Sequence, residues 1–217
     1  MRQKFYIADC HFGHGNLNIK MDHRGFQSPE EMDNYMIQQW NKKVHAGDEV
    51  YILGDLIWKH DKDDIPHFLN QLHGKKYLII GNHDKRWLGK YDNEKHGGFH
   101  WIKDYAEIKD NKRTVILFHY PILTYNHQFN DNTWMLHGHV HWTDDQMLVD
   151  KYKDIAKQSS RFDSNSMMLE SPNTNIINCF CMTEDYQPLT LDEWIDLEQS
   201  GEIKKRMKEH NEKINIS

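Results

Sequence analysis

Residues 76–84 read KYLIIGNHD: a short apolar run that stops at a glycine and delivers three side chains able to hold a metal or move a proton. The run is aromatic and β-branched with no amphipathic period, as in a strand covered on both faces. The residue frequencies of this chain predict GNHD only about 0.007 times, so its presence after a strand is informative. The same arithmetic predicts His-x-His about 1.2 times in a chain with 16 histidines, so the two overlapping copies in HGHVH (137–141) carry little by themselves.

Four further runs repeat the pattern. FYIA (5–8) is followed by Asp9 and His11, VYILG (50–54) by Asp55, TVILF (114–118) by His119, and WML (134–136) by His137, His139 and His141. In α/β proteins ligands bind outside the carboxyl ends of the strands, where loops from several strands converge. The five runs therefore predict an α/β fold with Asp9, His11, Asp55, Asn82, His83, Asp84, His119, His139 and His141 on one rim.

Between the runs, SPEEMDNYMIQQWNKKV (28–44) reads as a helix: Ser28 as N-cap, Pro29 at the first position, Glu31 completing a capping box, and Met32, Tyr35, Met36 and Trp40 at helical spacing. DDIPHFLNQL (63–72) reads as a shorter helix ending near Gly74. The polar stretch from 142 to about 171 reads as a surface loop or lid. TNIINCFC (174–181) reads as a strand placing Cys179 and Cys181 on one buried face, and TLDEWIDLEQS (190–200) as a helix capped by Thr190 and Glu193. The end of the chain, about 196–217, reads as a solvated helical tail on a core spanning about 1–195.

Composition narrows the class. The 217 residues suit one domain with one sizeable core, and no Pro-rich or Gly/Ser-rich linker divides them. Mean hydropathy is −0.88 and no apolar run approaches 18 residues, which argues against a membrane span. FYIA meets Asp9 too soon to serve as a signal-peptide core, and three cysteines cannot all pair, so the expected location is the cytoplasm. Cys10, between Asp9 and His11, reads as a small core side chain. A net charge of −6, with Lys and Arg dispersed, argues against gripping duplex nucleic acid through its phosphates.

Asp, His and Asn are oxygen and nitrogen ligands suited to Mn, Fe, Zn, Ni or Mg. Asp9, His11, Asp55, Asn82, His119, His139 and His141 are too many for one ion, and two ions sharing a carboxylate would use them all. Such a pair suits hydrolysis of a phosphoester, because it activates water and neutralises phosphoryl charge together.

In order, DCH (9–11), GD (54–55), GNHD (81–84), His119 in FHYP and GHVH (138–141) resemble the motifs of the calcineurin-like metallophosphoesterase family. The resemblance spans roughly residues 5–141, with DYQPLTLDEW (185–194) looking like the closing segment of small single-domain members. It implies a four-layer α/β/β/α sandwich with the metal site at the strand carboxyl ends. It also implies two divalent ions, with Mn first among the candidates: Asp9, His11 and His141 on one, Asn82, His119 and His139 on the other, and Asp55 bridging. His83 would then contact the phosphate and protonate the leaving group, its ring oriented by Asp84. HFGHGNLN (11–18) is similar to a bacterial and phage subgroup of small phosphoesterases, which makes His14 and Arg24 candidates for binding the substrate phosphate, although HRGF lacks the proline expected there. His137, before the glycine, reads as a support behind the ligands or as structural.

The activity this implies is hydrolysis of a small, nucleotide-like phosphomonoester or phosphodiester by metal-activated water. A single-strand nuclease is the alternative, and a scaffold of the same fold that has lost catalysis is a third reading.

Overall fold

The computed structural model describes residues 2–58, 64–163, 167–172 and 174–216. The chain forms β1 (Lys4–Ile7), α1 (Pro29–Lys43), β2 (Glu49–Ile52), α2 (Asp64–Gln71), β3 (Lys75–Ile79), α3 (Lys85–Leu88), α4 (Asn93–His96), β4 (Phe99–Lys103), β5 (Tyr105–Asp110), β6 (Arg113–Phe118) and β7 (Thr133–His137). It continues through α5 (Asp144–Gln158), β8 (Arg161–Asp163), β9 (Met168–Glu170), β10 (Ile176–Asn178), β11 (Leu189–Thr190), α6 (Leu191–Gln199) and α7 (Glu202–Ile216).

Two sheets carry the fold. One has the order β11-β1-β2-β3-β4 and is parallel except for β11; the other has the order β10-β7-β6-β5 and is parallel except for β5. A third, two-stranded sheet pairs β8 with β9. The mixed α/β class expected from the runs is what the chain adopts.

Period-2 alternation distributes the strands between separate cores. Phe5 and Ile7 of β1, Val50 and Ile52 of β2 and Leu78 of β3 pack with Met32, Met36 and Trp40 of α1 and with Phe68 and Leu69 of α2. The opposite side chains, Tyr6, Ala8, Tyr51, Leu53 and Ile79, meet Val115, Leu117, Trp134, Leu136 and Ile177 of the second sheet, together with Trp194 of α6. Ile116, Met135 and Ile176 face the other way and pack with Val149 of α5. Both faces of the central strands are therefore apolar, which is why their sequences run without polar interruption.

Several local expectations are corrected. Ser28 caps α1 by accepting from the Glu31 N–H, but the Glu31 carboxylate takes the Gln27 N–H at 2.8 Å, so no reciprocal box forms there. At α6 the box is complete: Thr190 accepts from the Glu193 N–H, and Glu193 accepts from the Thr190 N–H. The stretch after His141 is not a loop: Thr143 caps the fifteen-residue α5. A β8–β9 hairpin follows, and residues 164–166 within the expected lid lie outside the described residues. Cys179 and Cys181 are buried but do not share a face, because the strand ends at Asn178 and the chain turns into a 3-10 helix at Cys181. Cys179 thus lies in the core between the sheets and Cys181 in the core under α1.

The end of the chain is not a solvated tail. Ile203 and Met207 are buried, Arg206 bonds the Thr183 carbonyl and Glu184, and Asn211 donates to the Trp142 carbonyl at 3.1 Å. No described helix is long and apolar enough to cross a membrane.

Candidate metal centre

The parallel pairing of β1 and β2 does not stop where the strands do. The Asp9 N–H donates to the Gly54 carbonyl at 3.1 Å, His11 to Asp55 at 2.9 Å and Phe12 to Leu56 at 2.9 Å. This continued ladder sets Asp9 and His11 beside Asp55. From the other sheet, the Gly138 N–H donates to the His119 carbonyl at 3.0 Å, and the His139 N–H donates to both Asp9 carboxylate oxygens at 3.1 and 2.9 Å. The loops of both sheets thus meet over one spot.

Two groups of donor atoms form there. Asp9, His11 and His141, all buried, place ligand atoms within 4.8 Å of one another, with His11 Nε2 3.3 Å from His141 Nε2 and His141 Nε2 3.7 Å from Asp9 Oδ1. Asn82 Oδ1 lies 2.9 Å from both His119 Nε2 and His139 Nδ1. Between the groups, Asp55 Oδ2 is 3.7 Å from His11 Nε2 and 3.6 Å from His119 Nε2. Asp9, Asp55 and His119 also form a set within 4.8 Å.

This convergence bends the backbone. Asp9, His11, Asp55, His139 and His141 have φ of 56°, 52°, 52°, 71° and 44°, in the left-handed region that costs free energy for residues with a Cβ. Such strain at strand ends is a mark of functional sites. The motif glycines have a steric reason: a Cβ on Gly81 would lie 2.1 Å from Asp55 Oδ1, and one on Gly138 2.5 Å from Asp9 Oδ2. The glycine of GNHD is where a neighbouring carboxylate passes against the backbone.

Charge balance favours a cation. Burial, and then the neighbouring Asp55, push the Asp9 carboxyl well above its usual range; burial and then Asp84 push Asp55 up to about 7. Two of the histidines cannot supply compensating protons. Burial holds His119 down to about 3 and His11 well below its ordinary value, so both are neutral and free to coordinate near neutrality. Two desolvated carboxylates beside the neutral imidazoles of His11 and His119 fit a divalent ion, which would lower the cost of ionising both.

The other expected residues separate. His83, with 27% of its side chain exposed, faces the centre with Nε2 3.9 Å from Asp55 Oδ2; burial, Arg86 and His14 bring it down to about 4. Asp84 does not orient the His83 ring. It is fully buried, and its oxygens accept from the backbone N–H groups of Asp55 at 2.8 Å, Gly81 at 2.9 Å and Leu56 at 3.1 Å, so it fixes the loops that carry the ligands. His14 lies against the Trp58 ring, with centroids 3.7 Å apart, and lines the cavity over the centre.

Arg24 is not positioned to bind substrate. Its side chain is fully buried, its guanidinium forks onto Asp22 Oδ2 at 3.0 and 2.8 Å, and it donates to the Cys10 carbonyl at 2.7 Å and the Asp9 carbonyl at 2.9 Å. Those partners occupy the charge that the sequence reading assigned to phosphate. His137 is buried beneath the site with Nδ1 against the Gly138 carbonyl at 2.8 Å. The cavity measures about 420 Å3 and is lined by His11, His14, Trp58, His83, His139 and His141 among others. Sequence reasoning missed Asp22 and Trp58 there: Asp22 accepts from His141 Nδ1 at 2.7 Å across 119 residues, a pairing that no local spacing announces.

No protein-family model matches the chain. The uncharacterized protein MJ1445 of Methanocaldococcus jannaschii is 30% identical over 204 residues, covering 94% of this chain and 95% of that protein. The chain belongs to the MJ1445 family. The Gene 66 protein of Mycobacterium phage D29 is 26% identical over 163 residues, covering 65% of this chain and 79% of the phage protein. Among solved structures, the protein of unknown function AQ665 from Aquifex aeolicus is similar with a TM-score of 0.61 and 25% identity, covering 91% of this chain and 100% of that one. The MJ1445 and AQ665 similarities cover 94% and 91% of this chain and so extend beyond the stretch 9–141 that carries the donor motifs.

Proposed function

We propose that the chain is a metal-dependent phosphoesterase that holds two divalent ions and hydrolyses a small phosphomonoester or phosphodiester. The observation that carries this reading is the place of Asp55: its Oδ2 lies between two donor groups, within 3.7 Å of a histidine nitrogen from each. Asp9, His11 and His141 would hold one ion and Asn82, His119 and His139 the other, with Asp55 between them. A bound pair of ions supplies phosphoryl charge neutralisation and an activated water.

The chain's own residues supply the rest. Asp84, by tying the amides of Gly81, Asp55 and Leu56 together, fixes the separation of Asn82 and Asp55. The His83 N–H donates to Asp55 Oδ1 at 2.8 Å, which turns the imidazole over the cavity, where its Nε2 is the proton donor for a leaving oxygen. The free chain carries His83 neutral at pH 7, and the negative charge of a bound phosphoryl group favours the protonated ring that the role needs. Trp58 and His14 form the wall beside His83. We also read the cores under α1, between the two sheets and under α5 as the interlayer packing of an α/β/β/α sandwich, the architecture of the calcineurin-like enzymes. A cavity of about 420 Å3 in a chain of net charge −6 favours a small ester over a polynucleotide.

The test is elemental analysis of the purified chain, together with hydrolysis of aryl and nucleotide phosphoesters by chelator-treated, Mn-reloaded protein. The expected result is two ions per chain and turnover that returns with Mn, with Asp55→Asn losing both ions. Full occupancy and activity in that variant would overturn the bridging role, and a chain that takes up no ion would overturn the whole reading.

A further inference from the structure

Asp22 plays no part in the reading above, yet it touches both strand ends that build one half of the centre. Its Oδ1 accepts from His141 Nδ1 at 2.7 Å. That bond fixes the proton on Nδ1 and leaves the lone pair of Nε2 facing Asp9 Oδ1 at 3.7 Å and His11 Nε2 at 3.3 Å, the tautomer and direction that coordination requires. Its Oδ2 receives the Arg24 fork, and the same guanidinium holds the carbonyls of Asp9 and Cys10. The short stretch 22–24 thus clips the imidazole delivered after β7 to the backbone delivered by β1. From the far side, His210 Nε2 of α7 lies 2.7 Å from the Asp22 carbonyl, so the terminal helix braces the clip. The other half is held differently: His119 Nδ1 meets the Leu53 carbonyl at 2.8 Å, a neutral acceptor.

We propose that Asp22, clamped by Arg24, is a positioning residue that preorganises the Asp9–His11–His141 subsite, so that its loss weakens one of the two ions and spares the other. This rests on the two-ion reading above. A carboxylate behind a ligating histidine orients the ring and raises its basicity, and removing such a partner costs 10–100-fold in metal affinity. Because Asp22 reaches only His141 among the candidate ligand side chains, that cost falls on one ion.

The experiment is calorimetric titration of the chelator-treated full-length chain with Mn, comparing wild type, Asp22→Asn and Asp22→Ala. The expected result is two binding events in wild type. In Asp22→Ala one event is weakened about 10–100-fold and the other stays within about threefold. Asp22→Asn, which keeps an acceptor for the Nδ1–H without the charge, shows a smaller loss at the same event. Asp22→Ala leaves the buried Arg24 unpaired, so Asp22→Ala with Arg24→Met provides a folded background if the single variant unfolds, and it shows the same one-sided loss. Wild-type affinities at both events, or equal weakening of both, would overturn the proposal while leaving the two-ion centre standing. A wild-type chain that takes up no ion would remove the centre itself, and with it this role.

Discussion

The single side chain with most at stake is His83. It faces the cavity and its backbone is tied to Asp55; His14, the other imidazole outside the donor groups in the cavity wall, lies against Trp58, whereas His83 Nε2 is 3.9 Å from Asp55 Oδ2. His83→Asn is expected to keep both ions and to lower kcat about 100-fold, the usual scale for a positioned acid, with a smaller loss for esters of good leaving groups. Equal loss for aryl and alkyl esters would instead assign His83 to phosphate binding alone. The pH dependence of metal uptake follows from the carboxylates. In the metal-free chain burial and Asp84 bring Asp55 up to about 7, so below that pH an ion must displace its proton. His119 and His11 impose no such barrier, since burial holds His119 near 3 and His11 well below its ordinary value. The apparent Kd for Mn is therefore expected to rise by at least about tenfold per unit as pH falls below 7. Titrations at pH 6, 7 and 8 check this, and a flat profile would contradict the protonated Asp55. At this scale the sequence was legible where chemistry is written into residue type next to a strand: Asp9, His11, Asp55, Asn82, His119, His139 and His141 converge as expected. It was not legible for Arg24 and Asp22, because whether a charged side chain faces solvent or a buried partner is decided by tertiary packing.

Elements were readable in proportion to their burial. The strands that end at the site are buried on both faces and announce themselves as uninterrupted apolar runs, and α1 shows its cap and its Met32–Met36–Trp40 face. α5 escaped because its cap, Thr143, precedes a helix whose sequence is mostly polar and whose four buried residues, Gln146, Val149, Lys153 and Ala156, include only two apolar ones. β8 and β9 are three residues each and carry no period long enough to read. The legible elements also carry the stability. Trp40 of α1 is 1% exposed, packs in the core beneath the first sheet and donates from Nε1 to the His73 carbonyl at 3.0 Å. Trp40→Ala is expected to lower the free energy of unfolding by about 3–5 kcal/mol, read from denaturant midpoints, with Trp40→Phe recovering most of it. A loss below about 1 kcal/mol would mean that α1 is not anchored by this residue.

For the whole molecule, the charge distribution decides what can bind. The chain has 27 basic against 33 acidic residues, and its densest basic run, KKRMK (204–208), lies on α7 and does not line the cavity over the centre. An enzyme tracking a polynucleotide backbone loses about 10³ or more in affinity between 50 and 200 mM salt when it contacts 6–10 phosphates. KM for the preferred ester is expected to move only about two- to threefold over that range, because the contacts come from the centre, His83 and its neighbours rather than from surface cations. A steep salt slope, with oligonucleotides cleaved faster than mononucleotide esters, would favour the single-strand nuclease.

Each donor group draws from both sheets: Asp9 and His11 follow β1 and Asn82 follows β3, whereas His119 follows β6 and His139 and His141 follow β7. An ion in either group is then a rivet through the two leaves of the molecule, and binding doubles as a lock on their relative sliding. Adding Mn to the chelated chain is expected to slow amide hydrogen exchange most at the facing apolar residues of the strands, such as Tyr51, Ile79, Val115 and Leu136, which lie in the core between the sheets rather than in the ligand loops. Protection confined to the ligand loops would mean that the leaves hold their spacing without the rivet.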